Sequence, residues 1–154
     1  MMHRNGIDIL ITFEFKYTDM ETMNIDNDLH VFYVAAASFP NGVKAAWEQL
    51  HSVAPLSPGR KFYGLSRPEN GGGIQYKAAT EELFANEGAK HNYPTHIIRK
   101  GKYIYLDVHN YMQDLPGIGN AFQQLLAQPG LDPQGYCVEW YMSAKEVRCM
   151  IRLA

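Results

Sequence analysis

The N-terminal part of the chain contains short runs in which apolar and polar residues alternate, a pattern typical of half-buried β-strands. Residues 7–17 alternate in this way around Phe13 and Phe15, and they predict a first strand. Residues 18–30, TDMETMNIDNDLH, are polar and acidic without a sustained period. They predict a connection. Residues 31–38, VFYVAAAS, then predict a second strand.

A helix is predicted directly after this second strand. Asn41 is a plausible N-cap, and Pro55 makes continuation of the helix beyond it unfavourable. Between them, apolar residues recur at helical spacing at Val43, Ala46, Trp47 and Leu50.

A β-hairpin is predicted next. Residues 61–66 and 74–80 flank the loop RPENGGG, whose three consecutive glycines suit positive φ angles. Residues 83–94 carry Gly88 and Pro94 among residues of mixed polarity. They predict a linker into a second unit.

The second half repeats this order. Residues 102–109 alternate and predict a strand, and residues 136–142 and 146–153 predict two more. A helix is predicted between the first of these strands and the other two. It opens at Asp114 and Pro116, closes at Pro129–Gly130, and has an apolar face formed by Ile118, Phe122, Leu125 and Leu126.

The chain after residue 30 therefore has the order strand, helix, strand, strand, written twice, with pseudo-repeats over about 29–86 and 93–154. We predict an α+β fold in which duplicated β-α-β-β units form an antiparallel sheet with two helices and a cleft between the halves. A length of 154 residues fits a single domain.

Composition excludes several classes of function. With 14 Lys and Arg against 16 Asp and Glu, the net charge of −2 gives no basic field for nucleic acid. The longest apolar run, residues 31–37, is too short to cross a bilayer. Asp8 and Glu14 interrupt the stretch that a signal peptide would need, so we expect a cytoplasmic protein.

Motifs for metal or cofactor chemistry are weak. The six histidines show no recognised ligand spacing, and we predict no metal and no cofactor. Cys137 and Cys149 are expected to lie nearly opposite each other on the last hairpin, as buried thiols rather than a disulfide.

The sequence resembles a known family in four segments of its second half: KGKYIYLDVH, GIGNAFQQLL, GYCVEWY and VRCMIRL. They are similar to the GyrI-like small-molecule-binding domain, which also forms the effector-binding part of multidrug-responsive transcription activators. The first half, VFYVAAASFPNGVKAAWEQL, looks like the family's strand, turn and helix with its tryptophan, here Trp47. The similarity covers about Leu29 to Leu153.

The resemblance implies a site around Glu139, because the family places a glutamate of this strand in a cavity between its two halves. Alternation puts Cys137, Glu139 and Tyr141 on one face of the strand. On a solvent-exposed face, Glu139 would be an ordinary surface residue. In an aromatic cavity, its pKa would rise unless a cationic ligand or hydrogen-bond donors stabilised the charge.

Aromatic residues supply the candidate cavity walls. Trp47 and Phe122 lie on apolar helix faces and also fit core positions. Tyr103 and Tyr105 share a strand face with Asp107 and His109, so that face is either polar or cavity-lining. The full set of predicted ligand-binding residues is Glu139, Tyr141, Trp47, Tyr63, Tyr103, Tyr105 and Phe122.

Three functions remain open. The leading hypothesis is a stand-alone binding module that senses or sequesters a hydrophobic, aromatic ligand that can carry a positive charge. It is expected to stand alone because residues 1–30 do not supply a helix-turn-helix. The family resemblance implies the other two. The second is a small hydrolase of strained, cyclopropane-type compounds, which some members of the family resemble; by analogy Glu139 would be the general acid or base and Tyr141 or Tyr105 the assisting phenol. The third is a protein-interaction module that inhibits a partner such as DNA gyrase, which only the family's name-giving members suggest. The sequence leaves the oligomeric state open.

Overall fold

The computed structural model describes residues 20–154, so the strand predicted over residues 7–17 lies outside the described part. The elements in chain order are β1 (Glu21–Ile25), β2 (Leu29–Ala35), α1 (Val43–Val53), β3 (Phe62–Pro68), β4 (Ile74–Glu81), α2 (Glu87–Lys90), β5 (Thr95–Ile98), β6 (Gly101–His109), a 3₁₀ turn (Tyr111–Gln113), α3 (Leu115–Leu126), β7 (Cys137–Tyr141) and β8 (Glu146–Arg152).

All eight of these strands join one antiparallel sheet in the order β1-β6-β8-β7-β3-β4-β2-β5. The prediction of an α+β fold with an antiparallel sheet is confirmed. The two halves of the chain meet at the β3–β7 pair, where Gly64 lies opposite Glu139. This pair is at the centre of the sheet, with three strands beyond it on each side.

Helices α1 and α3 pack on the same face of the sheet, which we call the helix face. Helix α1 contacts β2 and β4, and α3 contacts β6 and β8. Each buries most of the apolar stripe that its sequence predicts, with Ala46 and Leu50 from α1 and Phe122 and Leu125 from α3. Leu126, which the sequence also placed on the apolar face of α3, is instead exposed, because it lies at the C-terminal end of the helix on the side away from the sheet. The helices therefore cover the two halves of the sheet separately, on either side of the β3–β7 pair.

The other face of the sheet, which we call the inner face, has a core of its own. The sheet curls into a half-barrel, so side chains from its distant strands pack directly against one another. This core is formed by Val31, Tyr63, Leu65, Ala79, Ile98, Tyr103, Val138 and Met150. The curled sheet itself therefore covers this core, as a second layer of helices would cover the face of a flatter sheet.

Two segments predicted to be irregular contain regular structure. The acidic connection holds β1, an edge strand that pairs with β6 and directs Met23 and Ile25 toward the inner core. The predicted linker over 83–94 contains α2, so the structure has three α-helices within residues 20–154 rather than two. Both predictions were wrong because short, half-exposed elements at the edge of a fold carry few apolar residues.

Specific contacts fix the short helix α2 in place. The Arg60 guanidinium donates to the buried carboxylate of Glu87 at 2.6 Å. At Gly88, a Cβ atom would lie 2.5 Å from the Cβ of Phe32, so the missing side chain lets α2 approach β2. Strand β5, which the sequence pattern did not predict, then follows and pairs with β2.

Two local predictions also need correction. The N-cap of α1 is Gly42 rather than Asn41, and its amide donates to the Ser38 carbonyl. On the β7–β8 hairpin, Cys149 lies opposite Glu139 rather than opposite Cys137. Both cysteines are free thiols, but only Cys149 is buried as predicted, whereas Cys137 is half-buried. Within residues 20–154, no helix is long and apolar enough to span a membrane.

Candidate functional site

Glu139 lies on the helix face at the centre of the sheet, between the halves covered by α1 and α3. The residue is only 7% exposed, so it is not an ordinary surface glutamate. The alternation predicted for β7 is confirmed, because Val138 and Trp140 pack into the core of the inner face. The fold therefore buries a carboxylate where the two halves meet.

Gly64 makes room for this carboxylate. It faces Glu139 across the β3–β7 pair. A Cβ atom on Gly64 would lie 2.3 Å from the Tyr76 hydroxyl oxygen and 2.6 Å from Oε1 of Glu139. Both distances are shorter than any van der Waals contact, so the two polar groups occupy the space that a side chain would fill.

Two phenols donate hydrogen bonds to the same carboxylate oxygen. The Tyr76 hydroxyl donates to Oε1 of Glu139 at 3.1 Å, and the Tyr141 hydroxyl donates to the same atom. The indole Nε1–H of Trp47 donates to the Tyr76 hydroxyl at 3.1 Å. This chain of bonds leaves Oε2 of Glu139 without a hydrogen-bond partner within residues 20–154.

The carboxylate also lacks a cationic partner. None of the four ion pairs found within residues 20–154 includes Glu139. Burial raises the pKa of Glu139, and the hydrogen bonds from Tyr141 and Tyr76 offset this rise only in part. Burial, and then the charge of Glu139, raise the pKa of Tyr76 and Tyr141, which therefore remain protonated donors.

Aromatic rings surround the hydrogen-bonded group. Phe39 stacks on Tyr76 with ring centroids 5.9 Å apart, and it is 42% exposed. Trp47 meets Tyr141 edge-on at 5.4 Å, and Tyr111 approaches the same ring at 5.3 Å. The site thus has a buried carboxyl group at its bottom, aromatic walls, and an outer ring, that of Phe39, which borders solvent.

The structure brings together only part of the predicted ligand-binding set. Glu139, Tyr141 and Trp47 meet in the site described above. Phe122 lies on the same sheet face but packs in the core beneath α3. Tyr63, Tyr103 and Tyr105 pack in or against the core of the inner face. The predicted walls of one cavity are therefore divided between the two faces of the sheet.

Sequence reasoning missed four residues of the site: Gly64, Tyr76, Phe39 and Tyr111. Tyr76 lies on the predicted hairpin, but its approach to Glu139 depends on the pairing of β4 with β3 and of β3 with β7. A signal was present at Gly64, since a glycine inside a strand often marks a close approach of other groups. Within residues 20–154, no group of three or more potential ligands is arranged to hold a metal ion.

Comparison with known proteins identifies the fold. No family model and no curated protein matches the sequence. Several solved structures resemble the chain. Integron cassette protein VCH_CASS2 from the mobile metagenome of Vibrio cholerae has a TM-score of 0.68 at 19% identity, covering 88% of this chain and 95% of that one. The EcmrR C-terminal domain has a TM-score of 0.62 at 10% identity, covering 88% and 97%.

The third structure contains a ligand. It is SAV2435 bound to tetraphenylphosphonium, with a TM-score of 0.59 at 14% identity, covering 87% of this chain and 94% of that one. At these identities the likeness establishes a shared fold. Nearly the whole of each relative is matched, so the common unit is the complete described domain.

Proposed function

We propose that this protein binds a hydrophobic, aromatic cation at Glu139. The observation that carries the proposal is the buried carboxylate whose Oε2 has no hydrogen-bond partner and no cation beside it within residues 20–154. A buried carboxylate without a cation is costly, and a cationic ligand would remove that cost. The two phenols hold Oε1 and fix the orientation of the carboxylate.

The walls of the site define the ligand further. Rings of Trp47, Tyr141 and Phe39 favour a flat or multi-ringed apolar ligand, because aromatic faces attract cations and bury apolar surface. Tetraphenylphosphonium, present in the SAV2435 structure, belongs to this class. Glu139 is largely covered in the present conformation. A ligand of that size would reach Glu139 only if the covering side chains moved, and we propose that the exposed ring of Phe39 is the one that moves.

The cellular role that fits this chemistry is sensing or sequestration. The fold is shared with the EcmrR C-terminal domain, and EcmrR is also found in a complex with DNA. We propose that the chain is a GyrI-like domain, related to the effector-binding domains of transcription regulators. The two halves share one strand order, β2-β4-β3 in the first and β6-β8-β7 in the second. Helices α1 and α3 also follow the equivalent strand in each half. These similarities support an origin by duplication.

A hydrolase is the second candidate, and the contact between Glu139 and Tyr141 favours it. Burial raises the pKa of Glu139, which makes this carboxyl group a stronger proton acceptor than an exposed glutamate, and an adjacent phenol can orient water or substrate. The same groups suit cation binding without turnover. Recovery of the ligand, unchanged or with water added, separates the two functions.

A thermal-shift panel tests the proposal. Tetraphenylphosphonium and planar cationic dyes would be compared with neutral analogues of similar size, using wild type, Glu139→Gln and the matched control Glu48→Gln. Glu48 is exposed on α1, next to Trp47 in sequence. A ligand at about one hundred times its Kd stabilises the folded state by about 2.7 kcal/mol.

We expect the cations to stabilise wild type and Glu48→Gln but not Glu139→Gln. Mass spectrometry on each mixture would show the ligand unchanged for a binding protein and heavier by one water for a hydrolase. Equal stabilisation of all three proteins, or a preference for the neutral analogues, would overturn the proposed cation site.

A further inference from the structure

The two carboxylate oxygens of Glu139 differ in their surroundings. Oε1 accepts hydrogen bonds from the hydroxyls of Tyr76 and Tyr141, whereas Oε2 accepts none from residues 20–154. In this part of the chain, Nη1 of Arg60 is the one side-chain polar atom that is fully buried without a partner. Oε2 also lacks a partner, so it must still be reached by solvent. The free acceptor of the site is therefore a single, nearly buried oxygen atom.

The hydrogen-bond donors of the site are already in use. The indole N–H of Trp47 can only donate, and it donates to the Tyr76 oxygen at 3.1 Å. The one hydroxyl hydrogen of Tyr76 is thereby left for Oε1 of Glu139. Tyr141 also has one hydroxyl hydrogen, and it is used at the same oxygen. A donor for Oε2 must therefore come from solvent or from a bound molecule.

The floor beside Glu139 adds no further charge. Ser66 and Cys137 form the next pair along β3 and β7 on the same face, and both are half-buried. Burial, and then the charge of Glu139, raise the pKa of Cys137 to about 11, so the thiol is uncharged at pH 7. Glu139 alone therefore sets the sign of the ligand charge that this part of the site favours.

We propose that the ligand of this site is a protonated amine whose N–H donates to Oε2 of Glu139. This ligand class rests on the proposed function and narrows it from any aromatic cation to one that carries a hydrogen-bond donor. An N–H beside a carboxylate forms a short, charge-assisted hydrogen bond. A quaternary onium ion has no hydrogen to donate, so it would leave the nearly buried acceptor unpaired. One N–H is sufficient, because two phenols already occupy Oε1.

A methylation series of one amine tests the requirement for an N–H. 1-Naphthylmethylamine and its N-methyl and N,N-dimethyl derivatives are all protonated at pH 7 and keep at least one N–H, while the N,N,N-trimethylammonium ion keeps none. The ring and the charge are the same throughout. By calorimetry, we expect the three amines to bind wild type with Kd values within about threefold of one another. The quaternary ion should bind at least about tenfold more weakly than the dimethyl amine.

Glu139→Gln and the exposed control Glu48→Gln complete the design. Glu48→Gln should show the same drop in affinity between the dimethyl amine and the quaternary ion. In Glu139→Gln, the phenols would hold the amide oxygen, and the amide NH₂ would then present hydrogens in place of Oε2. All three amines should therefore bind this variant at least about tenfold more weakly than wild type, and the drop at the quaternary ion should be absent.

The two tryptophans of the chain report the position of the ligand. Trp47 belongs to the hydrogen-bond chain that ends at Glu139, while Trp140 packs against the core of the inner face. In a proton–nitrogen NMR spectrum, assigned with Trp47→Phe, the amine should shift the indole N–H signal of Trp47 and leave that of Trp140 unchanged. A shift confined to Trp140 would place the ligand on the inner face and contradict the inference.

The possible outcomes separate this inference from the proposed function. If wild type bound the dimethyl amine and the quaternary ion equally, and Glu139→Gln bound neither, the cation site would stand and the N–H requirement would be wrong. Tighter binding of the quaternary ion than of the amines would also overturn the requirement, as would binding of tetraphenylphosphonium without binding of any amine. Equal binding of every compound by wild type and Glu139→Gln would contradict both proposals.

Discussion

Replacement of Gly64 by alanine would test the packing of the Glu139 site directly. The added Cβ would enter the space that the Tyr76 hydroxyl and Oε1 of Glu139 occupy, at 2.3 and 2.6 Å. Neither group has an easy alternative position, because Tyr76 also accepts a hydrogen bond from Trp47 and Glu139 is buried. The Tyr76–Glu139 hydrogen bond should therefore break.

The expected cost has two parts. Overpacking of a well-packed interior by one methyl group costs about 1–3 kcal/mol. Loss of a donor to a buried carboxylate costs about 1–3 kcal/mol more. The free energy of unfolding should thus fall by about 2–6 kcal/mol. With a urea m-value of about 2 kcal/mol/M, the unfolding midpoint would drop by about 1–3 M.

Urea unfolding followed by tryptophan fluorescence would measure this change. Gly119→Ala is the matched control, since Gly119 lies in α3 and a Cβ there meets no atom within 4 Å. Alanine should raise helix stability at that position by about 0.5–1 kcal/mol. If Gly64→Ala were as stable as wild type and still bound tetraphenylphosphonium, our placement of Tyr76 and Glu139 over Gly64 would be wrong.

Three further predictions concern buried polar groups. Glu139→Gln should stabilise the ligand-free protein at neutral pH. Because the pKa of Glu139 is raised in the folded state, the free energy of unfolding of wild type should fall as pH rises above the usual glutamate pKa. Urea unfolding of the variant at several pH values should not show this fall. Tyr76→Phe should cost about 1–3 kcal/mol, measured in urea, because it removes both the donor to Glu139 and the acceptor for Trp47. Glu87→Ala should cost about 3–5 kcal/mol by calorimetry, and adding Arg60→Met should recover most of that loss; a double variant no more stable than the single one would contradict the buried ion pair.

Periodicity along the chain was sufficient to predict much of the fold. Apolar spacing and turn residues predict two helices and six strands: α1, α3, β2, β3, β4, β6, β7 and β8. Each of these elements has an apolar face of its own that packs in the core, and that face is visible as a period in the sequence. The same alternation correctly separated Glu139 from Val138 and Trp140. The edge strand β1 and the short helix α2 could not be predicted in this way, since contacts with other elements stabilise them.

The pattern of a single strand does not show which residues meet in the site, because that depends on how the strands pair. Alternation shows that Tyr103 and Tyr105 share a face, but it does not show whether that face is the one of Glu139. The registers of β6 against β8 and of β8 against β7 decide this: Tyr105 lies opposite Met150, and Met150 lies opposite Val138, so Tyr105 is on the inner face. The register of β3 against β7 brings Gly64 rather than Tyr63 opposite Glu139. Tyr76 joins the site through a second register, that of β4 against β3.

The pH dependence of tetraphenylphosphonium binding tests the central claim most directly. If the cation binds the ionised carboxylate of Glu139, calorimetry of wild type should show affinity rising with pH through the raised pKa of Glu139, with proton release on binding at the acidic end. Glu139→Gln should bind weakly at every pH and release no proton. Equal affinity of both proteins across this range, with no proton release from wild type, would contradict the account.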